Sequence, residues 1–534
     1  MTVGGPWKTE TRILVGIGAV FVYVLAYQLI NRIPFPWDYY VWSESPFLTN
    51  LWKMSLGQPI FTNPSDVNSF LYSPGLEVLV YGLLSPFGLE LDIRFARFIV
   101  VGLGAAAAVL TAVFARRLLV VLGVEPSNLR KCGWLMGFLF TLIIFKSATS
   151  DVCHPDNFQM FHVAAGLCLG AVTIATGEFR WALTTIIFLA TGVLIRQSAA
   201  LGFVGVLIVF MVEFRRVWNP AKTIILCGAG IAVFALSLWL LIGRSDDAAF
   251  FLFKANALDW AATSVIKWVK LKAILTDMLS EQPHRIMLWV AAVFSAWWLL
   301  VHENRLIRRL IRFWLVFGLA EGVPALASFG KVFAWWNNLT VIDLWAAAIA
   351  MPAILSIAVS AKSERPFVGG AVFAFFAILF LTMSPAKYPP SDREQAFMAE
   401  WEGLVREDFR KGKRVLVSHG TSILIRAGEK DVPIDRGNTM NELNVAGLAR
   451  QAGTRRRIEG LFYSRIYLSA PQFFGHSILE TIDSFYMEVG RVYAPRWEAR
   501  SRISMPIDWA WGYQPDLWQD VVIYEPRNAC ESPE

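Results

Sequence analysis

The sequence predicts an α-helical polytopic membrane protein with about eleven transmembrane helices, followed by a C-terminal extracytoplasmic α/β domain. Of its 534 residues, 55% are hydrophobic and only 17% are charged, and the mean hydropathy is +0.48. Soluble proteins of ordinary composition carry more charge and fewer apolar residues. The apolar residues also fall into long runs that end near residue 383, and the chain beyond residue 388 is richer in charge.

Eleven apolar runs are long enough, or nearly so, to cross a bilayer as a helix of about twenty residues. In chain order they are 13–30, 98–115, 132–145, 158–176, 181–194, 199–214, 223–242, 286–301, 313–329, 339–359 and 367–383. No small-residue cleavage site follows the first run, so we expect a retained anchor and not a cleaved signal peptide.

Basic residues collect in every second loop, which predicts the orientation. Examples are Arg116 and Arg117 after the second run and Arg215 and Arg216 after the sixth. Because basic loops stay in the cytoplasm, we expect a cytoplasmic N-terminus and an extracytoplasmic tail. The predicted outer loop 244–284 departs from this rule, since "WAATSVIKWVKLKAIL" interleaves lysines with apolar residues. That pattern predicts an amphipathic helix on the outer leaflet.

The first outer loop and the tail complete the predicted architecture. The loop contains "WDYYVWSESPFLTNLWKMSLGQPIF" and "LYSPGLEVLVYGLLSPFG", which are too short or too broken to span and predict two juxtamembrane helices. The tail contains the strand-like runs "KRVLVS", "SILIRA" and "DVVIYE". We therefore expect a transmembrane domain over residues 1–387 and a soluble extracytoplasmic domain over residues 388–534.

Four predicted outer loops each carry an ionisable residue at a membrane boundary. They are Asp38 and Glu44 in the first loop, His154 and Asp156 in the second, Arg196 between the fifth and sixth runs, and Lys331 after the ninth. A transporter would place some of its charges near the bilayer midplane, between broken helices. Charges gathered at one membrane face favour a catalytic cavity instead.

The order of these features resembles the glycosyltransferase C superfamily, which includes the protein O-mannosyltransferases and the lipid A aminoarabinose transferases. The matching segments, in order, are "WDYY", "LWKMSLGQPIF", "YSPG", "RFARFIVVGLGAAAAVL", "HPDNFQMFHVAAGL", "LATGVLIRQSAAL" and "GKVFAWWNNLTVIDLWAAAIA". The resemblance covers about residues 10–383. The O-mannosyltransferases have two adjacent acidic residues at this position, whereas Asp38 is followed by Tyr39. Arg196 occupies a position at which many relatives have lysine. The resemblance therefore does not identify the sugar.

The resemblance implies an inverting enzyme that moves a sugar from a polyprenyl-phosphate donor to a hydroxyl of a glycan, lipid or protein acceptor. The reaction would take place on the outer face of the bacterial cytoplasmic membrane. Asp38 is then the expected general base, and Arg196 and Lys331 are expected to bind the donor phosphate, helped by His154. Candidates for an acceptor or secondary site are Glu44, Asp156, Tyr39 and Tyr72.

Each charged residue also has a structural interpretation. Asp38 could cap the helix that follows it, and Glu44 could cap or pair nearby. Asp156 could stabilise the start of its helix, and Arg196 could extend towards lipid phosphates. Lys331 and His154 have similar alternatives at the membrane boundary.

Composition limits the cofactors and partners. The net charge of +7 does not indicate nucleic-acid binding, because the basic residues are scattered between apolar runs and do not form one stripe. We expect that the enzyme requires no cofactor. Some relatives use a divalent metal, so the metal dependence of this protein stays open. The expected partners are the donor lipid, the acceptor and membrane lipids; the alternative function is a transporter or flippase of lipid-linked sugars.

Overall fold

The computed structural model describes most of the chain. The described residues are 7–38, 44–69, 71–146, 150–243, 245–258, 272, 276, 278, 282–329, 336–360, 366–383, 389–435, 439, 443–444, 446–448, 452–469, 476–494 and 520–527.

Helices dominate the chain up to residue 383. They are α1 (Trp7–Arg32), α2 (Glu44–Ser55), α3 (Gly75–Leu84), α4 (Ile93–Val121), α5 (Pro126–Phe145), α6 (Asp156–Thr176), α7 (Phe179–Ala190), α8 (Ala199–Phe214), α9 (Pro220–Ile242), α10 (Asp246–Ala249), α11 (Pro283–Leu300), α12 (Arg305–Phe329), α13 (Thr340–Ser360) and α14 (Pro366–Thr382). Helices therefore form at all eleven predicted runs, and α2 and α3 form in the first loop as predicted.

Eight helices in the described part of the chain are long and apolar enough to cross a membrane: α1, α4, α5, α6, α9, α11, α12 and α13. The other three runs form shorter apolar helices, namely α7 with the 3-10 turn after it, α8, and α14. A polytopic helical protein is therefore confirmed, whereas the count of eleven spans stays a prediction. The predicted amphipathic helix in the loop 244–284 lies almost entirely outside the described residues.

The tail folds as a mixed α and β region. Its elements are α15 (Asp392–Arg410), β1 (Val415–Val417), α16 (Thr421–Ala427), α17 (Thr454–Glu459), β2 (Arg465–Leu468), α18 (His476–Phe485), β3 (Tyr486–Val492) and β4 (Val521–Pro526). The sheet has the order β1-β2-β4-β3, with β1 parallel to β2 and β4 antiparallel to both of its neighbours.

One predicted strand is wrong. "KRVLVS" and "DVVIYE" form β1 and β4, but "SILIRA" belongs to the helix α16. Gly420, directly before this helix, has a φ of 95°, a left-handed conformation that only glycine adopts readily. The chain can therefore turn sharply out of β1 and start a helix, in spite of the β-branched and apolar composition of the segment.

The sheet region and the first loop share hydrophobic cores. Trp37 and Trp52 pack in one cluster with Phe397 and Trp401 of α15. A hydrogen bond joins the two regions as well, because the Asn68 side-chain amide donates to the Pro433 carbonyl at 2.8 Å. The end of the helices that carries this region is called the sheet side below. The predicted domain boundary at residue 387 lies outside the described residues and stays a prediction.

Candidate functional site

Arg196 lies in the turn between two helices that are each shorter than a membrane is thick. α7 has 12 residues and continues for four more as a 3-10 turn, and α8 has 16 residues. Each of these two helical segments is therefore about 25 Å long, which is less than the roughly 30 Å thickness of the hydrocarbon layer. Because the neighbouring α6 has 21 residues, the turn with Arg196 is recessed relative to the end of that helix.

The Arg196 guanidinium is held by neutral amides. Its Nη1 donates to Gln159 Oε1 and its Nη2 to Asn338 Oδ1, both at 2.5 Å. Among the described residues, one carboxylate lies within ion-pair distance, with Asp156 Oδ1 3.7 Å from Nη1. Amide partners fix the orientation of a cation without neutralising its charge.

His154 and Asp156 lie beside Arg196, as the sequence predicted for groups from separate loops. His154 Nδ1 is 3.0 Å from Asp156 Oδ2, although the pair lacks hydrogen-bond alignment. Asp156 is the first residue of α6 and is 4% exposed. Its position at a helix start agrees with the structural interpretation, and its carboxylate also lies within ion-pair distance of His154 and Arg196.

Glu321 is a site residue that the sequence reasoning missed. It lies within α12, one of the helices long and apolar enough to span a membrane, is 2% exposed, and has the Gln159 side chain within hydrogen-bond reach of its carboxylate. It is within electrostatic range of Arg196. Gly202 permits this approach, because a Cβ there would lie 2.0 Å from Glu321 Oε1. An acid inside an apolar run is the signal that should have identified it.

We call Arg196, Asp156, His154, Gln159, Asn338 and Glu321 the recessed polar cluster. Its members come from the loop before α6, α6 itself, the α7–α8 turn, α12 and the 3-10 turn Trp336–Leu339 before α13. The cluster offers a fixed cation, two carboxylates and an imidazole at the sheet side. Gln159 and Asn338 were also missed, because neutral amides in a membrane protein give no charge signal in the sequence.

Asp38 caps a helix of the tail. Its Oδ2 accepts hydrogen bonds from Ser45 Oγ at 2.7 Å and from the Thr421 backbone N–H at 2.8 Å. Its Oδ1 accepts from the N–H and the hydroxyl of Ser422, and the residue is 0% exposed. The sequence interpretation allowed Asp38 to cap α2, but it caps α16 instead. This geometry does not support Asp38 as the general base, because both oxygens are occupied and buried.

Glu44 pairs with a residue that the sequence reasoning did not select. Arg97, in α4, donates to both Glu44 oxygens at 2.7 Å and also to the carbonyls of Phe35 and Trp37. Burial raises the pKa of Glu44, and the Arg97 charge opposes that shift. Glu44 and Arg97 are both fully buried, and Glu44 also accepts from the Cys153 backbone N–H at 3.1 Å, which agrees with the pairing interpretation. The assignment of Glu44 to an acceptor site stays a prediction.

The remaining predicted site residues are Tyr72, Tyr39 and Lys331. Tyr72 is partly buried against the cluster that contains Trp37 and Trp401. Tyr39 and Lys331 lie outside the described residues, so their assignments stay predictions. Across the described ranges, no group of three or more His, Cys, Asp or Glu side chains could hold a metal ion.

Comparisons with known proteins give no further guide. The chain matches no model of a protein family, and a search of curated proteins found no significantly similar sequence. The resemblance to the glycosyltransferase C superfamily therefore stays a prediction, and the functional argument depends on the geometry of the recessed polar cluster.

Proposed function

We propose that the protein is a membrane-embedded, inverting glycosyltransferase that uses a polyprenyl-phosphate sugar as donor. The acceptor is a hydroxyl group of a glycan, lipid or protein. The sheet side faces the outside of the bacterial cytoplasmic membrane in this proposal. The donor's prenyl chain lies among the apolar helices while its phosphate reaches the recessed polar cluster.

The position of Arg196 is the observation that carries the proposal. A soluble phosphate would not require a cation recessed between membrane helices, whereas a phosphate attached to a lipid chain lies at that depth. Arg196 is oriented by Gln159 and Asn338 and remains 11% exposed at its side chain. It can therefore stabilise the negative charge that collects on a departing phosphate.

The same cluster supplies a carboxylate for the proton. The acceptor oxygen attacks the anomeric carbon, the bond from that carbon to the phosphate oxygen breaks, and a polyprenyl monophosphate leaves. The hydroxyl proton passes to a carboxylate within hydrogen-bond reach. We assign this role to Asp156 in place of Asp38, because Asp156 adjoins Arg196 and His154, whereas Asp38 is enclosed by Ser45, Thr421 and Ser422.

A transporter or flippase is the second candidate, and Glu321 is the observation that favours it. Glu321 lies in a spanning helix that contains Pro324, and a buried acid near a helix irregularity is typical of a transport pathway. The two functions differ in chemistry, because a flippase moves the donor across the bilayer without breaking its sugar–phosphate bond.

The test begins with the lipid that co-purifies with the protein. Mass spectrometry of a lipid extract should detect a polyprenyl phosphate or its sugar ester. The protein is then incubated with undecaprenyl-phosphomannose and with undecaprenyl-phosphoglucose in vesicles, and release of undecaprenyl phosphate is measured. We expect release by the wild type with at least one of these donors or with the co-purified lipid.

Asp156→Asn should abolish this release, and Asp246→Asn is the matched control because it removes the same charge from an exposed residue at the sheet side. An Asp156→Asn variant with full activity would overturn the assignment of the base. Movement of intact donor across the bilayer without release would favour the flippase.

A further inference from the structure

Glu321 is the acid of the recessed polar cluster that the proposed reaction does not use. It is 2% exposed in α12, and its carboxylate packs against the backbone of α8. A Cβ at Gly202 would lie 2.0 Å from Glu321 Oε1 and 2.9 Å from its Cδ, so an alanine there would displace the carboxylate. The glycine in α8 therefore determines how closely the acid of α12 approaches the cluster.

Gln159 lies between Arg196 and Glu321. Its Oε1 accepts from Arg196 Nη1 at 2.5 Å, and because a guanidinium can only donate, the amide must present its oxygen to Arg196. The amide nitrogen, which is a donor, is then left for another partner. The Gln159 side chain is within hydrogen-bond reach of the Glu321 carboxylate, which is an acceptor. The order of the three side chains therefore matches their hydrogen-bonding capacities.

Both ends of the contact between Gln159 and Glu321 are buried. Gln159 Nε2 and the two Glu321 oxygens lack hydrogen-bond alignment with one another, although they lie within reach. The last torsion of a glutamate is soft, so a rotation of the carboxylate brings one oxygen into line with the amide nitrogen. Aligned hydrogen bonds between buried groups fix the orientation of both side chains.

α12 also contacts the second amide that holds Arg196. Ser328 Oγ lies 3.4 Å from Asn338 Oδ1, and this oxygen accepts from Arg196 Nη2. Ser328 follows Glu321 by seven residues, or about two helical turns, so the two residues lie on one face of the helix. The same face of α12 therefore lies against Gln159 and Asn338, the two amides that orient the guanidinium.

We propose that Glu321 is a positioning residue of the donor site. It orients Gln159, and Gln159 orients the Arg196 guanidinium towards the donor phosphate. This inference rests on the proposed function for the identity of the ligand, but the coupling between the side chains is measurable with any lipid phosphate. The role requires a hydrogen-bond acceptor at residue 321 and does not require a negative charge there.

This role differs from that of an acid in a transport pathway. A transport acid works through its charge, by exchanging a proton or by pairing with a cation, so glutamine in its place removes the function. A positioning residue that only accepts a hydrogen bond can be replaced by glutamine, because the amide oxygen also accepts. Glu321→Gln therefore distinguishes the two roles.

The test measures binding of undecaprenyl-phosphomannose and of dodecyl phosphate to the full chain in nanodiscs by calorimetry. Glu321→Met keeps the length of the side chain and has no strong acceptor. It should raise the dissociation constant for both ligands about five- to tenfold, which is the factor that one hydrogen bond contributes. Glu321→Gln should bind within about twofold of the wild type, because the amide oxygen still accepts from Gln159.

Gly202→Ala tests the same contact without changing the acid. The added methyl group displaces the Glu321 carboxylate, so donor binding should weaken as it does in Glu321→Met. Gly228→Ala is its matched control in a spanning helix, because nothing lies within 4 Å of a Cβ there. This pair of variants decides the question if Glu321→Met does not fold.

A double-variant cycle tests the route through the amide. Gln159→Met should weaken binding, and adding Glu321→Met to it should have little further effect, because the acid acts through Gln159. Thr173→Val is the matched control, since it removes a buried hydroxyl that contacts Thr185 at 3.2 Å near the other end of α6. It should leave binding unchanged. Thermal unfolding checks that each variant is folded.

Four results would overturn the positioning role. They are equal weakening by Glu321→Gln and Glu321→Met, wild-type binding in Glu321→Met, equal weakening by Thr173→Val, and full additivity of the Gln159 and Glu321 variants. Dodecyl phosphate binding that weakens in both Arg196→Gln and Glu321→Met, without sugar release from any donor, would support the positioning role while contradicting the proposed reaction. A wild type that binds neither ligand would overturn both.

Discussion

The Asp38 carboxylate accepts a hydrogen bond from the backbone N–H of Thr421 at 2.8 Å, across a separation of 383 residues. This bond joins the first loop to the start of α16, where unpaired N–H groups favour a negative charge. Asp38, which follows the first apolar run of the sequence, therefore caps a helix in the tail.

Asp38→Asn should destabilise the tail by about 1–3 kcal/mol, because an amide replaces one acceptor with a donor that faces other N–H groups. Thermal unfolding and limited proteolysis in detergent measure this. Asp92→Asn is the control, since Asp92 caps α4 locally and should have a smaller effect. If Asp38→Asn abolished sugar release without changing the unfolding temperature, Asp38 would be the general base after all.

Breaking the Glu44–Arg97 pair should cost about 3–5 kcal/mol, because the remaining partner would be a buried charge without compensation. Glu44→Gln and Arg97→Met are compared with the double variant by thermal unfolding. We expect the double variant to lose less stability than the sum of the single variants, since it leaves neither charge alone. Strict additivity would contradict a direct coupling between the two side chains.

The first loop should lose stability as the pH rises towards neutrality because of Glu77. Burial raises the pKa of Glu77, which accepts from Asn50, from 4.5 to about 7. The folded protein therefore binds this proton more tightly than the unfolded chain. The resulting stability is fully present below about pH 4.5 and is lost as the pH rises through about 7, by about 3 kcal/mol in total.

Glu77→Gln should flatten this part of the pH profile of thermal unfolding, whereas Glu125→Gln, at an exposed residue, should leave it unchanged. A Glu77→Gln profile identical to that of the wild type would show that Glu77 does not titrate in this range.

Gly75→Ala should displace α3 from the turn that carries Arg196. A Cβ at this residue would lie 2.3 Å from the Leu194 carbonyl oxygen, two residues before Arg196. Overpacking of this kind costs about 1–3 kcal/mol, and we also expect weaker donor binding. Gly82→Ala in the same helix is the control, because nothing lies within 4 Å of its Cβ, and alanine there should be neutral or stabilise by about 0.5–1 kcal/mol. Equal effects of the two variants would contradict the close contact.

Arg196→Gln should raise the dissociation constant for the donor at least about tenfold, because it removes a charge-assisted hydrogen bond to the phosphate. Arg196→Lys should have an intermediate effect, since lysine keeps the charge but cannot bond Gln159 and Asn338 in the same fork. Binding is measured with undecaprenyl-phosphomannose in nanodiscs, with Arg94→Gln as the control. Unchanged affinity in Arg196→Gln would exclude this residue from the donor site.

The sequence by itself determined the helices, because the hydropathy that selects a membrane helix is a local property of about twenty residues. It also determined that His154, Asp156 and Arg196 lie at helix ends, where loops meet. The predicted meeting of the second loop with the turn that carries Arg196 is present in the structure. The predicted meeting of these groups with Asp38 and Lys331 stays a prediction.

Only the tertiary structure decided which polar groups became partners. Asp38 bonds Thr421 and Glu44 bonds Arg97, although these residues are far apart in the sequence. Glu321 lies within electrostatic range of Arg196. Composition and spacing do not encode these pairs. Each pair depends on how several helices pack and on which buried charged groups are brought within hydrogen-bond distance of each other. For the same reason "SILIRA", strand-like by local preference, became the helix that Asp38 caps.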